Sequence, residues 1–187
     1  MPEIAIRPAR PDDAATIVAL VRELAIYERE PLSSVKLDEA DILRDGFGPE
    51  RRFELLLATL DGAVEGFALF FPNYSTWEGR AGLYIEDLFV RERARGHGLG
   101  RLLMAAIAKL AVERGYRRID LSVLEWNPAR RFYEKLAMVE LTAWRLYRME
   151  AATLARLAAT VLRDAPCARS ASFETAASRP PQDEERG

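Results

Sequence analysis

Two adjacent carboxylates, Glu86 and Asp87, interrupt an otherwise apolar run from Leu83 to Val90. If that run is a strand, alternation sends one carboxylate to each face of its sheet, and helices over both faces would keep water from each. A carboxylate held partly out of water resists ionising, so its pKa rises and it suits general-base work near neutral pH. An ion pair with a nearby arginine is the other use such a residue can have.

Beyond Val90 comes Arg95-Gly96-His97-Gly98-Leu99-Gly100, ahead of an amphipathic helix. Alternate glycines let the backbone approach a ligand closely, and the amides leading into a helix point outward where its dipole is positive. Phosphate is the natural ligand of such a turn, and Arg91, Arg93, Arg95 and Arg101 add positive charge around it. The spacing does not fit a dinucleotide-binding fingerprint, and no phosphate loop of the G-x-x-x-x-G-K-[ST] type occurs. A turn that merely joins strand to helix remains the plain alternative. His97, expected to point outward, is given no chemistry.

The elements that must position these residues are legible from periodicity. Ile4 to Arg7 alternates as a short strand, and Ile17, Leu20, Val21 and Leu24 recur at helical spacing in a helix reaching about Glu30. Leu37 to Arg44 predicts a second, short helix. Phe53 to Leu60 and Gly66 to Phe71, joined at Asp61-Gly62, predict an antiparallel hairpin. Pro72 to Gly82 is expected to be a polar loop bearing Tyr74 and Trp77. Leu99 to Ala111 has one apolar and one charged helical face, with Gly115 suited to its C-terminal cap. A buried strand at Ile119 to Leu124, a short helix at Pro128 to Leu136 and one or two closing strands within Val139 to Met149 follow. Strands separated by helices, alongside one hairpin, define a mixed α/β sheet covered on both faces.

The chain has 187 residues, enough for one domain and a tail. Residues 1–150 are expected to form the domain, 151–163 a helical extension and 164–187 a disordered tail, since Pro166 to Gly187 is polar and charged. A formal charge of −2 argues against a nucleic-acid partner. A single cysteine and a single histidine argue against structural zinc, so no metal is expected. No run approaches the roughly 20 apolar residues of a membrane span, and the start of the chain is not that of a signal peptide, which together predict a cytoplasmic protein.

Arg95 to Gly100 matches the Q/R-x-x-G-x-G/A loop that holds pyrophosphate in the GNAT acetyltransferases. Ile6-Arg7-Pro8-Ala9, Tyr27-Glu28, Asp45-Gly46-Phe47-Gly48, Leu83 to Val90, Glu125-Trp126-Asn127, Phe132-Tyr133 and Trp144-Arg145-Leu146 resemble the spermidine/spermine and thialysine acetyltransferase branch. The resemblance runs from Ile4 to Glu150. It implies a GNAT fold of about six to seven strands, splayed at an acetyl-CoA site, and acetyl transfer to a polyamine, a diamine or a thialysine-like amine.

The resemblance also implies roles. Backbone groups of Leu88, Phe89 and Val90 would hold the pantetheine arm and the thioester oxygen. Arg95, Gly96, His97, Gly98, Leu99, Gly100 and Arg101 would hold the pyrophosphate. Asn127, which on its own reads as a helix cap, would also contact the coenzyme. Glu86 would be the base, and Tyr133 would touch the coenzyme and protonate its thiolate. Tyr27, Glu28, Asp87 and Trp77 would line the acceptor cleft of a homodimer.

The segment from Asn127 to Phe132 is one residue shorter than usual in the family, and Ala137 stands where a glycine is common. Both bear on the orientation of Tyr133. A non-catalytic acyl-CoA-binding sensor and an acetyltransferase for another amine, such as an amino acid or a drug, are the alternatives.

Overall fold

The computed structural model describes residues 2–164. The chain divides into two units, the first ending at Met138 and the second beginning at Val139. The first unit holds a five-stranded mixed sheet in the order β1 (Ile4–Pro8), β2 (Glu54–Leu60), β3 (Ala63–Ser75), β4 (Arg80–Val90), β5 (Ile119–Leu121). β1 to β4 are antiparallel neighbours, and β5 runs parallel to β4.

Each face of this sheet has its own core. On one side Leu56, Phe70, Leu83 and Ile85 pack with Leu99, Leu103 and Ile107 of α3 (Leu99–Glu113). On the other Leu57, Phe67, Leu69 and Phe89 pack with Ile17, Leu20 and Leu24 of α1 (Ala14–Tyr27) and with Ile42 of α2 (Glu39–Ile42). The apolar stripe of α1 is thus spent on the sheet and on α2. The β2–β3 turn has Asp61 at φ 50° and Gly62 at φ 80°, the type I′ geometry that suits the twist of a hairpin.

Three expectations are corrected. Pro72 to Gly82 is not a loop. β3 runs to Ser75 and β4 starts at Arg80, so the polar, aromatic stretch continues the hairpin and leaves only a short turn around Trp77. Its alternation was masked by Pro72 and Gly82, residues that ordinarily weaken a strand. Secondly, Val139 to Met149 contains no strand, and β5 stops at Leu121, giving five strands instead of six or seven. Alternation is only the local requirement for a strand, and a strand exists where its amides find a neighbour. The third correction, the facing of Glu86 and Asp87, belongs to the site. The helix after Glu150 is α5 (Ala151–Asp164), and the expected tail lies outside the described residues.

Candidate active site

The site is organised by an irregularity in β4. Leu69 of β3 pairs with Asp87, and the next residue, Phe70, pairs with Ile85, so Glu86 is an extra residue without a partner. Such a bulge shifts the alternation of the strand by one position. Before it, Leu83 and Ile85 face the α3 core. After it, Leu88 and Val90 do so, while Phe89 packs on the α1 side. Glu86 and Asp87 therefore do not point to opposite faces: both line one cavity of about 470 Å³ on the α1 side of the sheet. Strict alternation failed here because it assumes one residue opposite one residue.

Within that cavity the two carboxylates differ. Glu86 is exposed and Asp87 is half-buried. Burial, with Glu86 and Glu28 adding negative charge, pushes the Asp87 carboxyl up to about 7. Glu28, just past the end of α1, is also raised, by burial first and Glu30 second. Val21, Val35, Leu37, Phe53, Leu69 and Phe71 form the apolar lining, and Lys36 and Arg52 complete the wall. Sequence reasoning missed these two cations. Nothing in the spacing of Lys36, Arg52 and Asp87 announces that three separate elements bring them together. Trp77 stands 85% exposed at the tip of the β3–β4 hairpin and does not line the cavity.

On the other edge of β4 the sheet opens. Pairing with β5 covers only Leu83 to Ile85, so the strand from Glu86 to Val90 has no β5 neighbour. The Arg91 amide donates to the Glu65 carbonyl on the β3 side, whereas the Val90 carbonyl accepts from Arg95 Nε at 3.0 Å. Backbone alternation puts the polar groups of Leu88 on the same open side as those of Val90. Phe89 lies between them with its side chain buried and, by the same alternation, its backbone groups turned to its partner Phe67 on β3.

The glycine loop follows directly. Gly96 and Gly98 sit at φ 84° and 86°, and a Cβ at either would meet nothing within 4 Å. The loop is therefore held in the left-handed region with open space in front of it. Gly98 caps α3, so the amides of Leu99, Gly100 and Arg101 belong to the first turn and have no carbonyl partner within the helix. These features fit a pyrophosphate-bearing cosubstrate. His97 Nδ1 lies 3.3 Å from the Ala94 carbonyl, folded back on its own loop.

Only part of the expected basic collar faces this loop. Arg91 makes a two-pronged pair with Glu23 of α1, at 2.7 and 2.6 Å, and Arg93 is bonded to Glu65. Both are structural clamps between β4's exit and the α1 side, leaving Arg95 and the exposed Arg101 for an anion. Arg95 also lies over the Tyr27 ring, 4.5 Å from its centroid.

Tyr27 ties the loop to the remaining residues. Its hydroxyl donates to Asn127 Oδ1 at 3.3 Å, and the same oxygen accepts from the Ala129 amide at 2.9 Å. Asn127 therefore shapes the turn ahead of α4 and is not its cap, which is Ala129. The tyrosine ring also meets Phe89 and Trp126, and Arg29 covers the other ring of that contact at 4.2 Å. Tyr133, on α4 (Arg130–Lys135), has its hydroxyl pushed up to about 12 by burial and then by Glu28 and Tyr27. Its ring meets Phe132 edge-on, with centroids 5.2 Å apart. α4 closes with amides of Ala137 and Met138 on the carbonyls of Glu134 and Tyr133, with Ala137 at φ 60°. This closure is the turn that a glycine ordinarily makes.

The unit is thus a sheet with helices on both faces that opens beside a glycine loop. The model of the Acetyltransferase (GNAT) family matches residues 18–138. The chain belongs to this family and is an N-acetyltransferase. It is 34% identical over 167 residues to the thialysine N-epsilon-acetyltransferase of Bos taurus, covering 83% of this chain and 97% of the relative. It is 30% identical over 154 residues to the spermidine/spermine N(1)-acetyltransferase-like protein 1 of Homo sapiens, covering 76% of this chain and 22% of that one. Among solved structures, an integron cassette protein from the mobile metagenome of V. cholerae superposes with a TM-score of 0.69 at 25% identity, over 83% of this chain and 97% of that chain. Among the described residues no helix is long and apolar enough to cross a membrane.

Proposed function

We propose that this chain transfers the acetyl group of acetyl-CoA to the primary amine of a small cationic acceptor, a polyamine, a diamine or a thialysine-like amine. The observation that carries this reading is the bulge at Glu86, which gathers Glu86 and Asp87 in one cavity with Glu28 near enough to act on Asp87. Carboxylates so grouped draw a cation by Coulomb attraction. The names of the two curated relatives agree with an acceptor of this kind.

Acetyl-CoA supplies the acetyl group as a thioester. The open edge of β4 at Leu88 and Val90, on either side of Phe89, would receive its pantetheine arm, and the amides of Gly96 to Arg101, with Arg95 and Arg101 beside them, its pyrophosphate. Asn127 has its Oδ1 committed to Tyr27 and Ala129, so its Nδ2 is the group that would address the coenzyme. An alkylammonium near pKa 10 is not a nucleophile until it loses a proton. Glu86, directly or through water, accepts that proton, and the amine nitrogen bonds the acetyl carbon as the C–S bond breaks. Tyr133, a phenol at neutral pH with its hydroxyl pushed up to about 12, donates its proton to the departing sulfur. The second proton of the nitrogen, acidic once the acetyl group is attached, restores the phenol, so that the proton on Glu86 is the one released to solvent. Family resemblance further supports a homodimer.

Thiol release should be followed with acetyl-CoA and a panel of L-thialysine, L-lysine, L-ornithine, putrescine, spermidine and a neutral amine. Turnover confined to the cationic acceptors is expected. Release no faster than the amine-free blank with every cationic acceptor would refute the reading.

A further inference from the structure

The open edge of β4 is occupied by a side chain of the protein itself. Leu88 and Val90 turn their polar backbone groups to that edge, beyond the reach of β5. The Val90 carbonyl accepts there from Arg95 Nε at 3.0 Å. The guanidinium carbon of the same side chain stands 4.5 Å from the centroid of the Tyr27 ring. Arg95 is thereby held between the edge of the strand and the face of the ring.

Both supports of this side chain are fixed. Tyr27 is bonded through its hydroxyl to Asn127 and packs on Phe89 and on Trp126, which leaves its ring little freedom to turn. The Arg95 amide donates to the Glu92 carbonyl at 3.1 Å, which pins the base of the side chain. What can move is the arginine stem. Moving it breaks the charge-assisted hydrogen bond to Val90 and the cation–π contact with Tyr27. An anion onto which the guanidinium can fork offsets that loss, and a neutral ligand does not.

Resting on the reading of β4 as the edge that receives the pantetheine arm, we propose that Arg95 determines specificity for the acyl donor: it keeps thioesters without a pyrophosphate off the edge and gives way to one that has it. A pantetheine amide running along β4 needs a backbone acceptor, as an added strand would, and the Val90 carbonyl is the one that Arg95 holds. Bare pantetheine has the amides and lacks the anion, so it must evict Arg95 with nothing to receive the guanidinium. Acetyl-CoA brings its pyrophosphate to the loop that Arg95 begins, and the side chain turns from a competitor of the ligand into a contact of it. The selectivity is thus partly negative, built from a contact that the wrong donor must break. Arg101, exposed on the first turn of α3, adds charge at the same loop but is not the residue on the Val90 carbonyl, so it separates the two effects.

The test uses acetyl-CoA and S-acetylpantetheine, which share the thioester and the pantetheine amides and differ in the nucleotide and its phosphates. Affinity for each is measured without amine, by calorimetric titration and by competition of S-acetylpantetheine against acetyl-CoA. Arg95→Met keeps an apolar stem and removes donor and charge. It should bind S-acetylpantetheine about three-fold or more tighter than wild type and acetyl-CoA more weakly, so that discrimination between the donors falls about ten-fold or more. Arg101→Met should weaken acetyl-CoA and leave S-acetylpantetheine unmoved. Both positions are exposed, and a thermal melt of each variant checks that the fold persists. S-acetylpantetheine bound no tighter by Arg95→Met than by wild type, or bound equally tighter by Arg101→Met, would overturn the filter while leaving the coenzyme reading standing. Failure of wild type to bind acetyl-CoA would remove that reading, and this inference with it.

Discussion

Asp87 is stored in the fold at a cost that depends on pH. Its carboxyl is raised from an ordinary 3.8 to about 7, so between those values the folded chain holds a proton that the unfolded chain has released. Stability then falls as pH rises through this window, at most by about 1.4 kcal/mol per unit, and the loss is complete above the folded value. Glu28, also raised, contributes in the same direction. We expect the melting temperature of wild type to decline from pH 5 to pH 8, and Asp87→Asn to flatten most of that decline, by differential scanning calorimetry. Equal slopes in the two proteins would mean that Asp87 ionises normally. This property was not legible in the sequence. The adjacency of Glu86 and Asp87 marked the place, but which of the two is withdrawn from water depends on the bulge opposite Leu69 and Phe70, and the sequence between Leu83 and Val90 has no glycine or proline to signal it.

Two helix-and-turn devices set the geometry around β4, and they test differently. Gly98 at φ 86° must be glycine for its backbone as well as for any ligand, so its substitution confounds strain with lost binding. Gly62, in the β2–β3 turn at φ 80° and also without neighbours for a Cβ, carries the same strain away from the site. Gly98→Val and Gly62→Val should therefore be destabilised alike, by about 1–2 kcal/mol. Gly98→Val alone should lose acetyl-CoA affinity, ten-fold or more in calorimetric titration of the folded protein. Equal affinity in both variants would remove the phosphate-loop assignment.

The second device is the closure of α4. α3 and α4 end in the same pair of turn hydrogen bonds, with Gly115 at φ 69° in one and Ala137 at φ 60° in the other. Ala137→Gly exchanges left-handed strain for a smaller loss of chain entropy, and should raise the melting temperature by about 1–3 °C. A lower melting temperature would show that the turn is unstrained. Both turns could be read from sequence, because a residue following an apolar helical stripe is where the left-handed conformation is needed. The start of β4 could not, since Gly82 there serves a close approach to Arg118 and Asn73 and not a turn.

At the scale of the whole molecule, a net charge of −2 conceals a division of labour across β4. The carboxylates Glu28, Glu86 and Asp87 gather at the α1 side and its end, while Arg95, Arg101 and the loop amides gather where α3 begins. A near-neutral total could not reveal this division, which arises only when residues distant in sequence are folded together. The layers were legible because α1 and α3 each carry one continuous apolar stripe, and a sheet with a core on both faces follows from them. The closing strands were not, because alternation in Val139 to Met149 says nothing about an available edge. In the mechanism we propose, one residue takes a proton from the amine and another returns one to sulfur. The most direct test of that claim is the pH dependence of kcat/KM, measured with acetyl-CoA and L-thialysine for wild type, Glu86→Gln and Tyr133→Phe, with coenzyme affinity determined in parallel. We predict a fall on the order of 100-fold in each variant with acetyl-CoA binding retained, and partial recovery at high pH for Glu86→Gln only, where free amine is abundant. Near-wild-type rates in both variants across the pH range would contradict the assignment of base and acid.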